Sequence, residues 1–268
     1  MPQVIRGRDV YDVVIVGSGA AGGMAAKVLC DAGVKVALLE AGPPLDPSQD
    51  YLEHLWPYEV AHRGLGLPGG RTGFGAPNKF RWSDKEPYTS APGSPKFRWS
   101  RSRIVGGRTN HYGRISLRFA DYDFHGRSLD GYGEDWPITY DDVAPYYDKV
   151  ERLIGVYGSK EGIRTAPDGV FLPPPEPKCL DYLIKRVCDK VKIPCIAGRR
   201  AVLTRPLNGR PACHYCGQCG RGCVTAANFS ASQGTYHDKI TLNWNDLQPG
   251  NTYSIYRALS ADGEKVFI

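Results

Sequence analysis

Apolar positions change period along the chain. Val13, Val14, Ile15 and Val16 form an unbroken apolar run, which suits a strand buried on both faces. After Gly17 the pattern turns to small residues, and Ala20 to Leu29 predict a helix able to lie close to a neighbouring strand. "VKVALLE" (34–40) then returns to a β pattern. Strand, glycine turn, helix and strand in that order predict a βαβ unit. Further on, Val143, Tyr147, Val150 and Ile154 recur at helical spacing. Thr139 stands where a helix cap belongs, and Asp141 and Asp142 fall in the first turn, so the helix is read as Thr139 to Ile154. Its charged residues are expected to form a solvated face. "LDYLIKRVCDKVK" (180–192) predicts a second amphipathic helix, reached through the proline-rich connector 162–179.

Two regions are less regular. Residues 43–100 are rich in Pro, Gly and aromatics, and "GLGLPGGRTGFGAPNKFRW" (64–82) reads as a loop that covers a cofactor. "KFRWS" occurs at 79–83 and again at 96–100, taken as coincidence between two short strands. Near the end, Ile240, Leu242 and Trp244 alternate, Pro249-Gly250 can turn, and Tyr253, Ile255 and Arg257 follow, which predicts a β-hairpin.

The chain has 268 residues, 41% of them hydrophobic, enough for one large domain or two ordinary ones. Lys plus Arg exceed Asp plus Glu by 34 to 28, a net charge of +6. The excess is spread out, and short basic patches such as "FRWSRSR" (97–103) carry aromatics. This favours anionic ligands in a general way and gives no nucleic-acid footprint. No apolar run is long enough to span a membrane. The N-terminus has no apolar core with a cleavage site, so a cytoplasmic location is the default expectation.

The most informative local pattern is "YDVVIVGSGAAGGMAAKVLCDAGVKVALLEAG" (11–42). Gly17, Gly19 and Gly22 give G-x-G-x-x-G between the first strand and the helix. Gly17 permits the tight turn, Gly19 lets a pyrophosphate approach the backbone, and Gly22 allows close helix–strand packing. The helix start at Ala20 and Ala21 offers N–H groups and the positive dipole end to phosphates. Glu40 ends the second strand and is placed to accept hydrogen bonds from ribose hydroxyls. The pattern alone does not separate FAD from NAD, although an acid at Glu40 disfavours the 2′-phosphate of NADP. Cys30, in the helix, is read as core packing.

"RSRIVGGRTNHYGRISLRFADYDF" (101–124) adds a strand-like "RIV", a glycine pair and a polar turn. Together with the first motif it resembles the glucose–methanol–choline family of flavin oxidoreductases. Arg103, Val105, Gly106, Gly107, Asn110 and His111 match that family's first signature, and "DGYGEDWPITYDDVAPYYDKVERLIGVYG" (130–158) is similar to its bacterial sugar- and gluconate-dehydrogenase branch. The resemblance covers residues 10 to 230. It implies an α/β, Rossmann-like FAD-binding domain and oxidation of the CH–OH group of a sugar or polyol by hydride transfer to flavin. It places the Gly106–His111 turn against the flavin ring, with His111 at a position where some members attach the flavin covalently; a structural histidine is the favoured reading.

"CHYCGQCGRGC" (213–223) carries Cys213, Cys216, Cys219 and Cys223 at C-x2-C-x2-C-x3-C spacing. Thiolates two residues apart can wrap one iron–sulfur cluster, and the intervening glycines allow tight turns. The residue after the last cysteine is Val224 rather than the usual Pro. A cluster leads, with zinc and thiols or disulfides kept open. The family resemblance implies that such a cluster would relay electrons from FAD to an outside acceptor, with a small partner subunit and a cytochrome as partners; export carried by that subunit would give a periplasmic location. Cys179, Cys188 and Cys195 have no ligand-like spacing and are read as packing residues.

The likeness stops near Ser230. Residues 231–268 resemble the early strands of a fibronectin type III-like module, so two segments are expected: 1–230, the FAD-binding portion, and 231–268, a partial β-sandwich-like tail. The catalytic histidine of the family is expected in sequence that this chain lacks, and no catalytic residue is assigned. An NAD-linked oxidoreductase and a non-catalytic binding chain are the alternatives.

Overall fold

A computed structural model describes residues 10–56, 58–59, 91–95 and 102–234, together with the backbone of 254–257. In chain order its elements are β1 (Val13–Val16), α1 (Ala20–Asp31), β2 (Val36–Glu40), α2 (Pro47–Asp50), a 3-10 turn (Gly107–Asn110), α3 (Asp121–Phe124), α4 (Gly126–Asp130), α5 (Tyr140–Ile154), α6 (Cys179–Val191), α7 (Ala231–Gly234) and β3 (Ser254–Arg257). Expectations for 64–82, for both "KFRWS" copies and for the strand at 240–244 lie outside the described residues. No helix among the described residues is long and apolar enough to cross a membrane.

The chain divides into two compact units. The first holds residues 1–112, 217–226 and 230–268. Its sheet has the order β1-β2-β3: β1 and β2 run parallel, with Val13 opposite Val36 and Val16 opposite Leu39. β3 pairs antiparallel to β2, with Glu40 opposite Ser254. The tail strand therefore adds to the sheet of the glycine-rich unit, and its expected hairpin partner is not among the described residues.

α1 lies on this sheet because its inward face is almost bare. Ala26 and Cys30 pack with Val36, Leu38, Val105 and Ala231, which confirms Cys30 as a core residue. Burial, then the adjacent Asp31, raises the pKa of the Cys30 thiol. A Cβ on Gly22 would stand 1.8 Å from Gly17 O and 3.2 Å from Ile15 Cγ2, so only glycine permits this approach. One expectation needs correction. β1 lies at the edge of the sheet, and Val14 and Val16 are 60% and 82% exposed, so only one face of the all-apolar run is covered by the described residues.

The second unit holds residues 113–216 and 227–229. α5 begins as the sequence predicts: Thr139 and Asp142 form a reciprocal capping box, whose bonds from Thr139 hold the Asp142 carboxyl below its usual pKa. It ends at Gly155 in the left-handed region, where a Cβ would collide with Leu203. Arg210 donates to the carbonyls of Leu153 and Ile154, satisfying the helix's last acceptors. Tyr157, Leu172, Val202 and Leu203 form the apolar centre.

The expected solvated face of α5 is corrected at Glu151, which is only 4% exposed. Its carboxylate takes Arg118 Nε at 2.8 Å and Nη2 at 2.5 Å, and Val170 N at 2.7 Å. Arg118 also donates to Asp148 and to Tyr140 OH, and lies over the Tyr147 ring. Burial opposes the guanidinium's charge, but its bonds to Glu151, Asp148 and Tyr140 raise its pKa above the ordinary value. Arg199 pins the 159–171 segment through Ala166 O, Pro167 O and the Asp168 carboxylate. By contrast α6 has no buried residue, and its apolar stripe of Leu180, Leu183, Val187 and Val191 is exposed. Cys179 at its start is exposed, and Cys188 and Cys195 are half-buried, so the packing role expected for them is not found.

Two stability outcomes follow from these contacts. Glu151→Ala leaves the buried Arg118 guanidinium with the half-exposed Asp148 as its counter-charge and should lower the unfolding free energy by about 3 kcal/mol in a urea titration. A loss below about 0.5 kcal/mol would place the pair among contacts that contribute nothing. Gly22→Ala forces α1 off the sheet and should cost about 1–3 kcal/mol, read as a lower thermal midpoint.

Candidate dinucleotide site

The two glycine motifs meet within the first unit. Gly17 takes a φ of 90° and its N–H donates to Leu39 O at 2.7 Å, turning the chain from β1 into α1. Gly19 then caps the helix without a side chain, no side chain bonds to the helix start, and no acid lies in the first turn. A Cβ on Gly19 would meet nothing within 4 Å. The helix start is therefore free of a side-chain cap and opens at Gly19, with the positive end of the helix behind it.

Ser18 joins the motifs. It has no solvent exposure, and both its N–H and its hydroxyl donate to Glu40 Oε2, at 2.8 and 2.5 Å. The same hydroxyl accepts from Gly106 N at 2.9 Å. Gly42 N donates to Glu40 Oε1 at 3.0 Å. Glu40 is thus held by three donors and keeps one acceptor position on Oε1. The glycine pair lies directly against the fingerprint, because a Cβ on Gly107 would stand 3.6 Å from Gly19 Cα.

The second turn is braced by its own polar residues. Gly106 and Gly107 both have positive φ, at 84° and 52°. A Cβ on Gly106 would come within 2.9 Å of Asn110 Nδ2 and of Ser232 N. Asn110 donates to Val105 O and Gly107 O, and accepts from Tyr51 OH at 3.0 Å and Ser232 Oγ at 2.7 Å. Its amide is therefore spent on holding the turn. Thr109 donates to Gly106 O and accepts from Ala231 N. His111 Nε2 sits 2.5 Å from Ser102 Oγ. The strand-like "RIV" is not a strand: Val105 N makes a single backbone bond, to Pro43 O at 3.0 Å, and Gly42 leaves room for the backbone at Arg103, whose carbonyl carbon would be 2.0 Å from an added Cβ.

Ser18, Tyr51, Ser102, Thr109 and Ser232 were not singled out by the sequence motifs. Ser18 occupies a variable position of the fingerprint, and the partners of Tyr51 and Ser232 lie 59 and 122 residues away.

The cysteine run is split between the units. Cys213 and Cys216 belong to the second, where Tyr215 N donates to Cys213 Sγ at 3.2 Å. Cys219 and Cys223 belong to the first. There a Cβ on Gly222 would be 2.3 Å from Tyr51 Cγ, Leu52 N donates to Arg221 O, and Gln233 donates to Cys223 O. Among the described residues no three His, Cys, Asp or Glu side chains are gathered to hold a metal ion.

Residues present fit a dinucleotide: an uncapped helix start, an open Gly19, a second glycine turn beside it, and an acid with an acceptor to spare. Comparison with known proteins agrees. Residues 10–45 match the model of an FAD binding domain. The chain is 26% identical over 250 residues to the fructose dehydrogenase large subunit of Gluconobacter japonicus, covering 82% of this chain and 41% of that one. It is 35% identical over 158 residues to paromamine 6'-oxidase of Streptomyces fradiae, covering 57% and 25%. Among solved structures it is similar to pyridoxine 4-oxidase from Mesorbium loti, with 20% identity, 68% and 32% of the two chains covered, and a TM-score of 0.39. The chain spans at most 41% of the length of the two relatives named above. Fingerprint, second glycine turn and relatives together support an FAD-dependent oxidoreductase of the glucose–methanol–choline type.

Proposed function

We propose that this chain forms the FAD-holding part of a dehydrogenase that oxidises the CH–OH group of a sugar or polyol. The observation that carries the reading is the Gly106 N to Ser18 Oγ bond, which sets two glycine turns side by side with Gly19 open between them. When bound, FAD supplies the two-electron acceptor for hydride. The chain's own contribution is binding and orientation. The α1 start faces the pyrophosphate, Glu40 Oε1 accepts from a ribose hydroxyl, and the Gly106–Asn110 turn offers backbone near the ring system. His111 is oriented by Ser102. Proton abstraction is assigned to no residue of this span.

Relatives named fructose dehydrogenase large subunit and 2-methyl-1,2-propanediol dehydrogenase support the substrate class, and the first, as a large subunit, supports a partner subunit. The iron–sulfur cluster on Cys213, Cys216, Cys219 and Cys223 is proposed from spacing. Among the described residues no three His, Cys, Asp or Glu side chains form a metal-binding group, and no electron-transfer step is derived through these cysteines.

Titration of the purified chain with FAD, followed by quenching of flavin fluorescence, tests the central reading. Saturable binding is expected, and protection from heat by NAD with none by FAD would replace the reading with a nicotinamide-linked one. Ser18→Ala removes an acceptor from a buried N–H and should weaken FAD binding by about tenfold, corresponding to the low end of ~1–3 kcal/mol. Unchanged affinity would sever the link between the Ser18 bridge and the dinucleotide. Iron and acid-labile sulfide assays on anaerobically purified protein test the cluster separately.

A further inference from the structure

Three cysteines lie outside both the core and the clustered run: Cys179, Cys188 and Cys195. The fold brings two of them together. α6 ends with Lys192 in the left-handed region, at a φ of 57°. Lys192 N donates to Asp189 O at 3.4 Å, and Ile193 N donates to Cys188 O at 3.0 Å. This cap folds the segment 193–195 back over the last helical turn. Cys195 stands two residues beyond the Ile193 N to Cys188 O bond, close enough for the Cys188 thiol to act on it. Both residues are half-buried, so small reagents can reach them. Lys185 is held by Asp189 at 3.2 Å and lies close enough to act on Cys195 electrostatically. Partial burial, then the facing Cys188 thiol, raise the Cys195 pKa, while the Lys185 ammonium draws it down. Both cysteines are free, joined to no other sulfur.

We propose that Cys188 and Cys195 form a reversible dithiol–disulfide couple whose oxidant is a small-molecule disulfide of the glutathione class. One cysteine loses its proton, and its thiolate attacks a sulfur of the oxidant, giving a mixed disulfide and releasing one small thiolate. The second cysteine loses its proton and attacks the protein sulfur of that mixed disulfide, releasing the other small thiolate. The two protein thiols together lose two protons and two electrons, and the oxidant gains them as two small thiols. The second step is intramolecular, and the cap turn keeps its two sulfurs together, so the mixed disulfide does not accumulate. The bond would tie the end of α6 to the segment behind it, next to the exposed stripe that ends at Val191. This couple is independent of the flavin site.

The experiment exposes the full chain to defined ratios of oxidised and reduced glutathione, blocks free thiols by alkylation and maps tryptic peptides by mass. Cleavage after Lys190, Lys192 and Arg199 separates the two sulfurs onto peptides 187–190 and 193–199. A disulfide-linked pair of these peptides is expected in the native chain, while exposed Cys179 retains a glutathione adduct. In Cys195→Ser the adduct on Cys188 should rise by about tenfold, because the resolving thiol is gone. Stable adducts on both Cys188 and Cys195 of the unsubstituted chain would overturn the proposal. So would links from either one to the other cysteines at a frequency equal to their link to each other. Both readouts on the unsubstituted chain stand whether or not the variant folds.

Discussion

Ser18 is sealed from solvent, and its hydroxyl serves Glu40 and Gly106 at once. A hydroxyl has one proton to donate, so the bond to the carboxylate fixes its direction and leaves a lone pair for the Gly106 amide. In a region of low dielectric each of these bonds strengthens the other. The position of Glu40 is in turn set by the strand pairing that ends β2. A path of hydrogen bonds thus runs from the sheet through Glu40 and Ser18 into the second glycine turn, and on through Asn110 to Tyr51. Shift the hydroxyl and two turns lose their common reference.

Each unit solves its bracing problem with different chemistry. In the first, glycine marks places where backbone or ring presses against backbone: Gly22 against Gly17, Gly42 against Arg103, Gly222 against the Tyr51 ring. Short polar side chains then lock the turns that result. In the second, arginines do the bracing from within. Arg118 gathers Glu151, Asp148 and Tyr140, Arg199 holds the 159–171 segment, and Arg210 closes the end of α5. Each of these guanidinium groups has several fixed donors and can satisfy carbonyls or carboxylates from different elements at once.

What the sequence disclosed was local. Gly17, Gly19, Gly22 and Glu40 act over a short span, and their spacing encodes their roles. Thr139 and Asp142 are readable for the same reason, as is the helix they start. Ser18, Tyr51 and Ser232 escaped because each depends on partners brought from afar by the fold. Glu151 escaped because charge predicts solvent, and only the structure reveals the buried Arg118 that reverses that rule. The strand at 13–16 was read as doubly buried from its apolar run, but burial depends on the neighbours a strand has, which a run of valines does not specify. Cys188 and Cys195 match no ligand spacing; a helix cap, not a motif, makes them neighbours.

Asn110 has every hydrogen-bonding position of its amide engaged by the chain: two donated, two accepted. The turn it holds is thus complete before any ligand arrives. A dinucleotide settling there does not have to freeze a floppy loop, and the entropy of ordering that segment has been spent in folding rather than in association. Preorganisation of this kind lowers the ordering cost that association would otherwise carry, and Tyr51, through its bond to Asn110, shares in it.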